Sequence, residues 1–149
     1  MEFESSIAYQ FTQLATAYRN LTQKALNKIG LNSGQIFVLI SLWKFDGQSQ
    51  VNLAKNLRLT PPTINKMVKG LIANGFIACQ KCESDSRTTR IYLTDKGRQI
   101  RSSVEEHWLE IQTDFFSSLT DTEKLMLLQL FEKLRENTDK KVAPASADL

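Results

Sequence analysis

Thr60-Pro61-Pro62-Thr63-Ile64-Asn65-Lys66-Met67-Val68-Lys69-Gly70-Leu71-Ile72-Ala73-Asn74-Gly75 reads as one helix with both of its ends written in. Thr is a favoured N-cap, and proline at the first helical position has no N–H to leave unpaired. Ile64, Met67, Val68 and Leu71 recur at helical spacing and predict an inward stripe. Asn74-Gly75 predicts the stop, because glycine takes the left-handed cap conformation without a Cβ penalty. Pro61, Pro62, Thr63, Asn65, Lys66 and Lys69 are left for the outer face. Gly70 weakens such a helix by about 1 kcal/mol relative to alanine; close packing is one reason to keep it.

Upstream, Met1 to Ile29 reads as a long helix with a stripe of Ile7, Phe11, Leu14, Tyr18, Leu21 and Ala25, and Gly30 as its stop. Asn32 or Ser33 is expected to cap a second helix carrying Ile36, Phe37, Leu39, Ile40 and Trp43. Asp46-Gly47 signals a turn. Ser49 then caps a short third helix with Val51, Leu53, Ala54 and Leu57 as its apolar side, and Arg58-Leu59 makes a tight connection into Thr60. Downstream, Phe76 to Lys81 and Arg90 to Thr94 read as two short strands, joined through the polar loop Glu83-Ser84-Asp85-Ser86 into a hairpin. Thr94 caps a helix from about Asp95 to Ser118 with Ile100, Val104, Trp108, Ile111 and Phe115 on one face. Thr120-Asp121-Thr122-Glu123 is a capping box opening a last helix rich in leucine. Val142 to Leu149 has no periodicity and reads as a loose tail.

The fold class expected is mainly α with a small β-hairpin wing: a winged helix-turn-helix flanked by dimerisation helices. Residues 31–97 form the lobe, 1–30 and 98–139 the helical dimerisation region, and 140–149 a flexible tail. The apolar stripes on the first and last helices have too little partner surface in one short chain, which calls for a homodimer. In a helix-turn-helix the second helix enters the DNA major groove with its N-terminal half. Asn65 then suits an adenine edge, Thr63 a base edge or phosphate, and Lys66 and Lys69 phosphates. Arg87 in the loop suits a minor groove. The charge distribution agrees. Between Gln48 and Arg101 lie ten of the nineteen basic residues and three of the sixteen acidic ones, leaving nine bases and thirteen acids elsewhere. A basic middle on a more acidic scaffold is the footprint of a phosphate-binding unit. An unevenly charged solvated surface gives the same count, and a plain amphipathic bundle helix gives the same stripe over residues 60–74.

Asp85-Ser86-Arg87-Thr88-Thr89-Arg90-Ile91-Tyr92-Leu93-Thr94-Asp95-Lys96-Gly97 resembles the wing signature of the MarR family of bacterial regulators: an Asp, an Arg two residues on, a hydrophobic strand, then Leu-Thr-x-x-Gly. The spacing from Gly75-Phe76-Ile77 to Asp85 fits as well, as do Leu53-Ala54 and the stretch from Leu31 to Leu39. The resemblance covers about Ile7 to Leu134. It implies a homodimeric transcriptional regulator, in the first instance a repressor, on a palindromic operator in double-stranded DNA. Asp85 would order the wing and Arg87 would enter the minor groove. The implied DNA-binding set is Ser49, Thr60, Pro61, Pro62, Thr63, Asn65, Lys66, Lys69, Asp85, Arg87 and Arg90. The resemblance also suggests a pocket for a small aromatic or phenolic effector, with Tyr9, Tyr18, Phe37 and Trp43 as candidate lining. Two positions depart from the family pattern. Cys79 stands where an arginine is common, with Lys81 as a substitute, and Pro61-Pro62 stand where basic or polar residues are common, which concentrates base reading on Thr63 and Asn65.

Other functions find less support. Cys79-Gln80-Lys81-Cys82 is a C-x-x-C, but zinc takes about four ligands and the chain has two cysteines and one histidine, His107. The pair lies in or beside a strand rather than at a helix start, so structural cysteines are expected, with a redox-sensing thiol, a thiol oxidoreductase and a protein-interaction winged helix as alternatives. His107 reads as a packing or interface residue. No P-loop, dinucleotide fingerprint, nucleophile elbow or zinc-protease motif occurs, so neither an enzyme nor a cofactor or metal site is expected. With no signal-peptide pattern and no bilayer-length apolar run, the expectation is a soluble cytoplasmic protein away from membranes.

Overall fold

The computed structural model describes residues 2–81, 83–84 and 87–142. Asp85, Ser86, Cys82 and residues 143–149, with the expectations attached to them, lie outside the described residues. The chain divides into two compact units, Met1–Leu109 and Glu110–Leu149.

In the first unit, a short 3-10 turn (Phe3–Ser5) precedes α1 (Ile7–Asn27). The helix thus starts at the first residue of the stripe and later than the expected Met1, because the Ser6 hydroxyl accepts the Tyr9 N–H and fixes the cap there. At its end Gly30 is left-handed (φ +75°) and the Leu31 N–H reaches back to the Leu26 carbonyl. Before α2 (Gln35–Lys44), Asn32 Oδ1 accepts from the Gly34 and Gln35 N–H groups, and Gln35 Oε1 accepts from the Asn32 N–H. That reciprocal pair is a capping box with glutamine as the returning residue.

The strands β1 (Gln48–Ser49), β2 (Ile77–Lys81) and β3 (Thr89–Leu93) form one antiparallel sheet in the order β1-β3-β2. The two-stranded hairpin is therefore correct but incomplete: Gln48 and Ser49 pair with Ile91 and Arg90 along its far edge. Between β1 and β2 lie α3 (Gln50–Leu57) and α4 (Pro61–Ala73). Ile36, Leu39, Leu42, Leu53, Ile64, Val68, Leu71, Phe76, Ile77 and Ile91 meet in a single buried core. Val51, Phe37 and Ile40, expected among the apolar sides of α3 and α2, are exposed instead. Gly70 has a packing reason. A Cβ there collides with the amide nitrogen of Gln35, whose side chain is buried against α4 and already holds the α2 cap.

Thr94 caps α5 (Asp95–Phe115), its hydroxyl accepting the Gly97 N–H and donating to the Gly75 carbonyl. The helix ends at Phe115, short of the expected Ser118. In the second unit Thr120 and Glu123 exchange the hydrogen bonds of a capping box (Thr120 N–H to Glu123 Oε2, 2.8 Å; Glu123 N–H to Thr120 Oγ1, 3.3 Å). The Thr120 N–H and, next, the Thr120 hydroxyl, both donating to its carboxylate, hold Glu123 below its usual range. The capping box opens α6 (Asp121–Val142), which runs past the expected start of the tail at residue 140.

Candidate nucleic-acid interface

Leu53 and Ala54 bury α3 against the core, and Ser49 Oγ accepts the Asn52 N–H to start it. The chain then reverses through Arg58 in the left-handed region (φ 56°), the one described non-glycine residue there, and the Leu59 N–H closes back on the Ala54 carbonyl. This sharp exit sets α4 across α3. Thr60 is extended (φ −71°, ψ 152°) ahead of Pro61 and Pro62. It occupies the N-cap position, yet its hydroxyl does not cap the helix; it pairs with the Thr63 hydroxyl at 2.8 Å. One reason is local: Pro62 has no N–H to offer a cap at the second helical position.

With Ile64, Val68 and Leu71 buried, α4 turns Thr60, Pro61, Pro62, Thr63, Lys66 and Lys69 to solvent. Asn65, expected on the open face, is half-buried at its edge. Its amide makes no side-chain hydrogen bond among the described residues, so both donor and acceptor remain for an outside partner.

The wing stands on the β2–β3 ladder, which closes at the Lys81–Thr89 pair. Arg87 is exposed in the loop beyond it. Arg90 is also exposed, but its guanidinium donates to the Gly47 carbonyl at 2.9 Å, tying β3 to the turn after α2. Gln80, Lys81, Glu83, Ser84, Arg90 and Tyr92 line a groove of about 430 Å³ along the wing.

Sequence reasoning missed the residue that anchors this wing. Asp46 Oδ1 accepts the Gly47 and Leu93 N–H groups (3.0 and 2.9 Å), while Oδ2 accepts from Arg98 (3.0 Å). Arg98 in turn donates to the Leu93 carbonyl at 2.7 Å. The Asp-Gly turn signal marked the place, but its partners lie about fifty residues downstream.

The candidate effector residues come from two helices, α1 and α2. Tyr9 and Tyr18 sit on α1, where burial pushes the Tyr18 phenol up from its usual range. Phe37 meets Trp108 edge to face at 6.4 Å, and Trp43 donates its indole N–H to the Gly97 carbonyl. A cavity of about 290 Å³ lies in the second unit and is lined by other residues, among them Phe116, Lys124, Leu128 and Phe131. His107 Nδ1 sits 2.7 Å from the Ser103 carbonyl of its own helix. Cys79 lies opposite Ile91 in the ladder, and partial burial raises its thiol pKa. Among the described residues no group of three or more His, Cys, Asp or Glu could hold a metal, and no helix is long and apolar enough to cross a membrane.

Residues 31–89, from the start of the α2 cap to the second wing strand, match the model of the MarR family. That segment, the lobe with α4 and its wing, is similar to the MarR family. The HTH-type transcriptional regulator BilQ of Clostridium symbiosum is 29% identical over 131 residues, spanning 88% of this chain and 91% of BilQ. A MarR transcriptional regulator from Methanosarcina mazei Go1 superposes with a TM-score of 0.82 at 26% identity, covering 91% of this chain and 98% of that one. Bordetella bronchiseptica BpsR, whose DNA binding is regulated by 6-hydroxynicotinic acid, shares the fold (TM-score 0.79, 19% identity, 87% of this chain and 98% of BpsR). The chain thus has the fold of the MarR winged-helix proteins, and the relatives it matches over most of its length are transcriptional regulators.

Proposed function

We propose that the chain is a MarR-family regulator and a cytoplasmic repressor: a homodimer seats two copies of α4 and its wing on an inverted-repeat operator, and a small aromatic or phenolic acid releases it. Residues 31–97 serve as the DNA-binding lobe, 1–30 and 98–139 as the dimerisation region. Thr63 and Asn65 read base edges. Lys66 and Lys69 take phosphates with Ser49 and Thr60 beside them, Asp85 orders the wing, and Arg87 enters the minor groove.

The observation that carries the reading is the outer face of α4, where exposed hydroxyls, two lysines and an unpartnered amide sit on a helix whose other side is locked into the core. The dimer is supported by apolar residues that the single chain leaves in water. Ile7 is 89% exposed and Phe11 54% on α1, and Leu125, Leu128 and Leu134 are more than half exposed on α6. Exposed stripes of this kind favour burial against a second copy. Release by a ligand draws support from the structural neighbour BpsR, whose DNA binding is regulated by 6-hydroxynicotinic acid, while the exposed Cys79 thiol makes oxidation the alternative. An effector works by binding better to a dimer whose two recognition helices are wrongly spaced for DNA.

Selection of bound sequences from random duplex DNA is the test. The expected result is an inverted repeat with half-site centres about 10 base pairs apart, one helical turn. A pool without an enriched motif, or a single asymmetric site bound by one lobe, would refute the proposal. Sedimentation at micromolar concentration should show a dimer; a folded monomer contradicts the assembly.

A further inference from the structure

We propose that Pro61 and Pro62 read thymine methyl groups in the operator, so that part of the sequence preference comes from hydrocarbon contact instead of hydrogen bonds. The inference rests on reading α4 as the recognition helix, and it deepens that reading.

The first turn of α4 is unusual for a surface that meets DNA. Pro61 and Pro62 are both exposed and occupy its first two positions, so neither supplies an amide. A helix N-terminus ordinarily offers such amides to a phosphate oxygen; here that anchoring is cut back. The turn carries no cation either, since the first basic residue of the helix is Lys66. Its two hydroxyls, on Thr60 and Thr63, already satisfy one another at 2.8 Å, which spends one of their two O–H donors inside the protein. What the turn presents is therefore mainly two pyrrolidine rings.

Among the base edges of the major groove, only thymine offers an apolar partner, its 5-methyl group. Adenine, guanine and cytosine present acceptors or amino groups that a proline ring covers without bonding, and an unsatisfied polar group opposes binding. The polar readers follow the prolines: Thr63, whose hydroxyl is partly committed to Thr60, and then Asn65, whose open amide suits an adenine. Each half-site is thus expected to carry one or two thymines facing Pro61 and Pro62, beside a position read by Asn65.

The experiment uses the full-length protein and the operator recovered by selection. Each thymine is replaced in turn by deoxyuridine, which removes only the methyl group. One or two positions per half-site should lose about fourfold in affinity, the transfer value for one buried carbon, and the other positions should not change. Exchanging the T·A pair at those positions for C·G should weaken binding, and 5-methylcytosine in that C·G pair should restore part of the loss. In the double variant Pro61→Ser/Pro62→Ser, checked for an unchanged melting temperature, the deoxyuridine penalty should vanish. The proposal is overturned if no deoxyuridine substitution weakens binding to the wild-type protein, or if the penalty persists in the double variant. A sequence-specific operator without any methyl effect defeats this inference alone, whereas a selection without a motif defeats the regulator reading together with it.

Discussion

Removing the Asp46 carboxylate tests what holds the wing to the rest of the lobe. Three donors converge on it: the Gly47 and Leu93 N–H groups and the Arg98 guanidinium. They are unequal. The Asp46–Arg98 ion pair spans 3.0 Å, but its side chains are 30% and 54% exposed, so solvent screens it to below about 1 kcal/mol. The Gly47 N–H can find water. The Leu93 N–H is part-buried in the middle of the lobe, and leaving it unpaired costs about 1–3 kcal/mol. Asp46→Ala should therefore destabilise by about 2–3 kcal/mol, dominated by one backbone amide. Asp46→Asn keeps a side-chain oxygen for that amide and should cost less than about 1 kcal/mol. The assay is urea unfolding at fixed protein concentration, in low salt and in 1 M NaCl. Salt should erase the small Asn penalty and leave most of the Ala penalty in place, since only the ion-pair share common to both variants is screened. If Asp46→Asn proves as damaging as Asp46→Ala, the ion pair is the anchor and the reasoning fails.

Gly70→Ala should lower stability by about 1–3 kcal/mol through overpacking against Gln35, although alanine is the better helix former; in a Gln35→Ala background the same change should turn neutral or stabilising, as read by thermal melting. Asn65→Ala should cost about 1–3 kcal/mol at one operator position per half-site while leaving binding to scrambled DNA intact. Arg87→Ala should instead weaken every DNA and shrink the salt dependence by about 1–2 units per dimer; equal losses for Asn65→Ala on both DNAs would show that Asn65 reads no base.

Helix ends were legible in the sequence because their chemistry is local. Ser49, Thr94 and the Thr120–Glu123 box bond within three residues of themselves, so type and spacing suffice. The outer face of α4 was legible for a similar reason, being what remains once the buried stripe is taken away. What the sequence hid depends on distant partners. A two-residue strand such as β1 has no period to detect, and only its pairing with Ile91 and Arg90 creates it. Gly70 is explained by a side chain from α2, and the anchoring role of Asp46 by groups on β3 and α5. Thr60 illustrates a local rule that gave way: the residue type favours capping, but the double proline and the Thr63 hydroxyl redirect it.

The same distant partners change what the basic middle segment can do on DNA. Of its ten cations, at least four are engaged inside the protein: Arg90 on the Gly47 carbonyl, Lys96 on the Asn74 carbonyl, Arg98 on Asp46 and Leu93, and Arg101 on Glu105. Those arginines and that lysine brace the wing and the start of α5, and a phosphate could recruit them only by displacing a bond already made. Lys55, Lys66, Lys69 and Lys81 are exposed without a side-chain partner among the described residues. In the proposed dimer, four such lysines per protomer should release counterions with a slope of about −7 in log affinity against log salt, and recruiting Arg87 as well would extend this to about −9. Titrating operator binding across a salt series measures it directly. Engaging all ten cations in both protomers would double the steepness, to about −18. A slope near that value would mean that the bracing contacts open on DNA, and the wing would then be a folding-on-binding element instead of the preformed one its hydrogen bonds describe.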